Sequence, residues 1–547
     1  MNTSLHNPPT SSRLRTLARW SCALSLVSGC ALVDPLIGDR EGDYSQSLEL
    51  HSDAVGLGSS LVMVGATSKK AFLLDLRELG KLPEVVELPS DPALVVKRNK
   101  ADDEAPEEAL VLCRGQRGTA EEDPQPSVLR VIEADGGARS YTLGSPFDAL
   151  AQSDDGKYVL AYRTSTGDRL LENPNEIAIV DLDAAEDDDD AVHTRTLRSF
   201  GDAPSKIVFS PEMSILNEQR RLAVVLSTRN VTLIDLAHLD REETTVQLSQ
   251  QIGSAVSPTQ VLFSTEDPVL YVRGTTADDL FAFDLTERPG GIEDEDGGLH
   301  NDFRPTINQL GVGARPSDMA LYGTGDDARL ITVTDGGGFL VVVSTGTGQS
   351  TSVQLDVSAQ GLLVFDAPSP RDDTVQPRAL LYQLGTTTVT FADLADIEER
   401  GTRNLDTLRL DQSIERLIPM LSETAVLAMH DEGVSLIDLA SRTVSPISSN
   451  VGLSDAMFDQ AGRRFWVAPP NQPWVGMLDL ETGAPGETLL DANIEVAVPL
   501  FEEGLLAIVH PSDIGHVTVI DIDRPDRENA RSTRGFLLAT ALDRGEP

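Results

Sequence analysis

The residues able to do chemistry in this 547-residue sequence are eight histidines, three cysteines, two acidic runs and one glycine-rich stretch. The histidines, at positions 6, 51, 193, 238, 300, 430, 510 and 516, show neither an H-E-x-x-H pair nor the close spacing that sets two imidazoles around zinc. His430 and His510 do fall at matching places, each closing a short apolar run, where two rings could converge on a ligand in a central funnel. The acidic runs are 181–190 (Asp-Leu-Asp-Ala-Ala-Glu-Asp-Asp-Asp-Asp) and 293–296. Calcium wants six to eight oxygens in a defined order, and neither run has the D-x-[DN]-x-[DN]-G-x₅-E order of a preformed loop. Blocks of like charge read as solvated loops, so only non-specific Ca²⁺ association is expected. Cys113 follows the apolar Leu110-Val-Leu112 and reads as a buried thiol with no assignable base. Residues 334–348 are rich in glycine but hold no G-x-x-x-x-G-K-[ST], which points to hairpin turns and not a phosphate cradle. Trp466 and Trp474 flank Pro469-Pro-Asn-Gln-Pro473, a long turn that either packs or offers an aromatic patch. No catalytic, cofactor-binding or metal-ligating set is assigned.

The elements that must position these groups are bounded by composition. With 40% hydrophobic and only 5% aromatic residues the chain can bury a large core but has few rings to fill it. Its formal charge is −43, which repels phosphate backbones and anionic headgroups and makes a nucleic-acid partner unexpected. Three cysteines cannot staple a disulfide scaffold.

At the amino terminus Arg13, Arg15 and Arg19 precede a short apolar run from Trp20 to Gly29 and then Cys30. A run of this length is too short to span about 30 Å of hydrocarbon and reads as a cleaved export signal. The order Val27-Ser28-Gly29-Cys30 resembles the lipobox of bacterial lipoproteins. The resemblance implies a signal peptide over 1–29 and a diacylglycerol and N-acyl chain on Cys30. Several acyl chains would anchor firmly where one binds marginally. Ala31 in place of aspartate implies the outer membrane. Residues 30–46 then form the acylated cysteine and its tether, and loss of 1–29 leaves 41 basic against 87 acidic residues, a formal charge of −46.

From residue 47 a unit recurs: apolar strand, turn, second strand, turn, and a third strand ending in an acidic residue followed by Leu or Ile. Seven clear third strands end at Asp75, Asp181, Asp235, Asp284, Asp438, Asp479 and Asp521, and weaker copies at Glu133, Ser344 and Asp393. Steps between them run from 41 to 60 residues. First strands open on Pro204, Pro258 and Pro316, a position where the missing N–H is tolerated. The third strands alternate as if half-buried, while the second strands are continuously apolar.

Four antiparallel strands in every unit, without helical interludes, predict an all-β chain: a β-propeller of four-stranded antiparallel blades, seven to ten in number, over 47–547. Three arrangements are open: one ring of ten, a smaller ring in which the weak copies at Glu133 and Ser344 are inserted hairpins, or two rings divided near 289–300. The strand-like run from Gly535 to Thr540 is expected to pair with Ser47 to Leu50 in one shared blade.

The Pro-x-x-hydrophobic strands, the Asp154-Asp-Gly-Lys-Tyr158 turn and the Val-x-Leu-Ile-Asp strands together resemble the YVTN/WD40-like propeller superfamily, with Asp-Leu where strict repeats have Trp-Asp. The resemblance implies blades and no particular chemistry. A non-enzymatic, lipid-anchored envelope propeller that presents loops to a protein or polysaccharide is the expected function. The alternative is a periplasmic propeller enzyme resembling lactonases, with a metal in the central funnel.

Overall fold

The structure is a computed structural model that describes residues 50–543 apart from short stretches, the longest being 116–124, 165–172, 250–255, 286–291, 294–298, 369–373 and 449–455. Cys30, the signal segment and the tether lie outside the described residues. Ten four-stranded antiparallel sheets follow one another along the chain. We number them blades 1–10 and count strands outward from the centre. The first strands are innermost: those of blades 1 (Leu50–Leu57) and 2 (Pro92–Lys97), and of blades 6 (Pro316–Tyr322) and 7 (Gly361–Pro368), approach within 8 Å between Cα atoms.

Every third strand ends on the marker residue read from the sequence, from Lys70–Asp75 in blade 1 to His516–Asp521 in blade 10. The weak copies at Glu133 and Ser344 end complete strands of blades 2 and 6, so neither is an inserted hairpin. Among the described residues two inserted hairpins are seen. One hairpin (Met213–Ile215 with Glu218–Arg220) sits between the first and second strands of blade 4. Another (Ile292–Glu293 with Leu299–His300) sits between the third and fourth strands of blade 5. The stretch 289–300 therefore lies inside blade 5, and a domain boundary there would detach that blade's outer strand, Thr306–Gly311.

Packing explains the ring. Ten hydrophobic clusters each straddle one boundary between neighbouring blades, and the tenth joins blade 10 back to blade 1. Blade 4 shows how one strand serves two neighbours. Leu222, Val224 and Leu226 of its second strand pack toward blade 5, while Ala223 and Val225 pack toward blade 3. Side chains alternate across a strand, so both faces are covered by adjacent blades. Third strands share this burial: Val231 and Leu233 face blade 5 and Ile234 faces blade 3. The half-buried third strand expected from the alternation is thus corrected, because the sheet has no solvent face at that depth. The four first strands that open on Pro92, Pro204, Pro258 and Pro316 each shift register directly after the proline, a bulge that accommodates the absent N–H.

Closure differs from the expected shared blade. Leu50–Leu57 pairs with Ser60–Gly65 of its own blade, and blade 10 supplies its own outer strand, Arg531–Arg534. Residues Phe536–Asp543 form an α-helix whose Phe536 and Leu537 enter the cluster between blades 10 and 1. No helix among the described residues is long and apolar enough to cross a membrane.

Candidate functional site

The recurring marker acid comes first, because its repetition could signal either chemistry or architecture. At Asp181, Asp235 and Asp521 one carboxylate oxygen accepts the backbone N–H two residues on, at 3.0 Å each, and Asp75 does the same at 2.8 Å. This is an Asx turn that opens the connection to the fourth strand. The other oxygen faces a base that precedes the second strand: Arg220, the last residue of the inserted hairpin, lies 2.9 Å from Asp235, and Lys157 lies 3.7 Å from Asp181. In blade 7 the pair is Arg378 and Asp393 at 3.0 Å. Arg220 and Arg378 are each only 1% exposed, so the acid neutralises a cation that the hairpin has buried. The motif that revealed the repeat is a structural clasp.

His430 and His510 also resolve into a shared device. The Nδ1 of His430 lies 2.8 Å from the Ser413 carbonyl and that of His510 lies 2.7 Å from the Asn493 carbonyl, so Nδ1 must carry the proton. Each Nε2 then accepts a hydroxyl hydrogen at 2.8 Å, from Ser435 in blade 8 and Thr518 in blade 10. Both rings are buried, and they pin the loop entering a blade to its third strand. The structure places them in separate blades, with both nitrogens of each ring already engaged.

The remaining candidates fall to packing as well. Cys113 is fully buried at the boundary of blades 1 and 2. Trp466 is buried between blades 9 and 10, and Trp474 packs on the cluster between blades 8 and 9. Gly336, Gly338 and Gly348 adopt positive φ in hairpin turns. The acidic run after Asp181 folds onto blade 2, where Glu186 accepts the Ser140 N–H at 2.8 Å and Tyr141 donates to the Ala184 carbonyl at 2.9 Å. The run at 293–296 falls mostly outside the described residues. Among the described residues no three His, Cys, Asp or Glu side chains come together as metal ligands.

What sequence reasoning missed is a face. In an antiparallel blade the connections between strands one and two, and between three and four, emerge at the same end. Among the described residues, three clefts open at that end, each where neighbouring blades meet. The first encloses about 230 Å³ over blades 10, 1 and 2, with Leu500 and Phe501 below and Lys97, Glu107, Glu502 and Glu503 around it. The second, about 250 Å³ between blades 2 and 3, is walled by Arg98, Lys100, Asp155, Lys157 and Asp183. The third, about 220 Å³ between blades 6 and 7, is walled by Tyr322, Asp327, Arg329 and Glu398.

Ion pairs bridge blades at each cleft. Arg98 reaches Asp183 at 3.1 Å, Arg329 reaches Glu398 at 2.9 Å, and Arg77 of blade 1 pairs with Glu503 of blade 10. Burial works to raise the Glu107 carboxyl, but hydrogen bonds from Lys100, Lys97 and the Gly58 amide outweigh it and bring it down to about 2. Glu108 beside it is likewise held low: burial opposes, and Arg139 and Arg98 prevail. The Asp154–Tyr158 turn builds the second cleft. Gly156 has φ +67°, its carbonyl accepts Arg98 Nε–H at 2.8 Å, and a Cβ there would sit 2.0 Å from the Asn99 carbonyl oxygen. Such walls offer paired donors and acceptors together with short apolar floors.

No protein-family model and no curated protein sequence matches the chain. Solved structures do. Dihydro-heme d1 dehydrogenase NirN in complex with DHE is 11% identical, with 79% of this chain and 73% of that one covered and a TM-score of 0.38. Apo AztD from Citrobacter koseri is 12% identical, with coverage of 71% and 95% and a TM-score of 0.32. A eukaryotic initiation factor is 12% identical, with coverage of 73% and 87% and a TM-score of 0.38. Likeness at this level says nothing of a site or an activity.

Proposed function

We propose that this chain is a non-enzymatic, lipid-anchored propeller of the bacterial cell envelope, held at the outer membrane through acyl chains on Cys30, that presents one face of its ring to an envelope protein or polysaccharide. The observation that carries the binding role is the placement of three inter-blade clefts on the same face, each with bridged charges and a small apolar floor. Ten blades make that face broad, and rigid blade boundaries hold the loops at fixed spacing. The anchoring role is supported by the Val27-Ser28-Gly29-Cys30 order behind three arginines.

Two measurements test the reading. Labelled palmitate should enter the full chain in a bacterial host, and Cys30→Ala should abolish it; equal labelling would remove the anchor. Photo-crosslinking groups placed at Lys100 and Glu398 should capture an envelope component, while one at Ile514, in a connection at the opposite end of blade 10, should not. Adducts that form equally from both ends, or from neither, would remove the binding face.

A further inference from the structure

The seam between blades 10 and 1 is closed by packing and by the chain's last strand and helix. Gly535 N–H donates to the Gly515 carbonyl at 2.8 Å and Leu537 N–H to the Ile514 carbonyl at 3.0 Å. A Cβ on Gly515 would lie 2.8 Å from both Phe536 and Leu537, so the turn and the helix fit without slack. Beneath this contact the rings of His510 and His516 stack, with centroids 4.1 Å apart and planes inclined by 27°.

Hydrogen bonds fix the state of both rings. His510 donates from Nδ1 to the Asn493 carbonyl and accepts at Nε2 from Thr518, as above. His516 Nε2 accepts the Arg534 Nε–H at 3.1 Å and faces the Ser532 hydroxyl at 2.9 Å. It must therefore keep a lone pair there. Ser532 and Arg534 both belong to the outer strand that leads into the helix. The charged groups facing the pair are Arg534 and Asp491; Asp491 is shared with Arg527 at 2.9 Å and lies 3.6 Å from Arg534. Glu495 and Asp513 are the other titratable groups of the flanking segments.

We infer that the stacked histidines are an acid-operated latch on the ring seam: neutral, they hold the outer strand and C-terminal helix in place, and protonated, they release residues 531–543 while the other blades stay folded. A proton on His516 Nε2 would replace an acceptor by a donor aimed at the Arg534 guanidinium, beside a second imidazole. Burial, His510 and Arg534 together push His516 down to about 4, with Asp491 opposing. Burial also lowers His510. A folded-state value below the unfolded one means stabilisation that is full above about pH 6.5 and lost as pH falls toward about 4.

The test is amide hydrogen exchange on the full chain near pH 7.5 and near pH 5, the latter still above the isoelectric point of about 4.4. After correction for intrinsic rates, opening of 531–540 should rise about thirtyfold between the two, as a single group titrating at about 4 folded and 6.5 unfolded requires. Amides of 222–227 in blade 4 should not change. His516→Gln should flatten the response. An unchanged thirtyfold rise in that variant, or equal opening in blade 4, would overturn the latch. A titration of His516 by imidazole NMR in the wild-type chain stands independently of the variant, and a midpoint at or above 6.5 would overturn it too.

Discussion

Truncating Ile234 to alanine tests whether the blades are held by the faces assigned to them. The side chain has no exposed surface and sits between blades 3 and 4, against a cluster that includes Leu160, Ile177, Ile179, Val225 and Leu236. Three carbons are removed, which at about 0.8 kcal/mol each loses about 2.4 kcal/mol of transfer free energy. The neighbours are strands fixed by their own ladders and cannot collapse far, so a cavity term brings the expected loss to about 3–4 kcal/mol. Leu82→Ala, at a position 42% exposed, should cost less than about 0.5 kcal/mol and serves as the reference. Urea unfolding gives the comparison, because a shift in midpoint multiplied by the slope is the loss in stability. Following it by far-UV circular dichroism and by indole fluorescence adds a second reading. Trp466 lies buried between blades 9 and 10, so its signal reports on a boundary Ile234 does not touch. In a ring closed by ten similar interfaces both signals should move together. An Ile234→Ala midpoint equal to that of Leu82→Ala would refute the burial argument, and a dichroism shift with fluorescence unmoved would refute cooperative closure.

Other outcomes follow from charge. Asp235→Ala should cost about 1–3 kcal/mol in the same urea assay, because it strips one carboxylate from the buried Arg220 and leaves it with the exposed Glu218 at 2.7 Å; Arg220→Met combined with Asp235→Leu should recover most of that loss. A chain of formal charge −43 repels itself, so the melting temperature should be higher in about 0.3 M NaCl than in about 0.01 M. Calcium at about 1 mM should add no more than matched magnesium, and a large calcium-only shift would point first to Asp181, Asp183 and their neighbours in the acidic run.

The blades were legible because nine of the ten third strands combine an apolar run with an acid that closes it, and in blades 4 and 7 that acid neutralises a buried arginine. Glu133 and Ser344 were harder to weigh. Glu133 still meets Arg139 at 3.2 Å, but Ser344 lacks the charge, and only pairing with Arg329–Thr334 reveals a full blade. The insertion at 289–300 resembled a linker because a loop inside a blade and a loop between rings have the same composition; the distinction lies in Leu280 to Asp284 pairing with 306–310 beyond it. The run at 535–540 reads as a strand because a short apolar segment carries no decisive period, and its helical state follows from the pocket that blades 10 and 1 provide for Phe536 and Leu537. The face that carries the clefts was invisible because its walls are loop residues drawn from three or more distant segments, as where Lys97, Glu107 and Glu502 line one cleft.

Each blade completes itself with its own four strands, and neighbours are joined only side to side. A gene encoding such a chain can gain or lose one repeat without any strand having to find a new partner in a distant part of the sequence. The ring must only reclose around a different angle, spread thinly over every remaining boundary. Propellers sealed by a strand borrowed from the opposite terminus lack that freedom, since an altered copy number must keep the two ends in register. Blade count in this architecture is accordingly a heritable variable that duplication can tune, and the breadth of the ring varies with it.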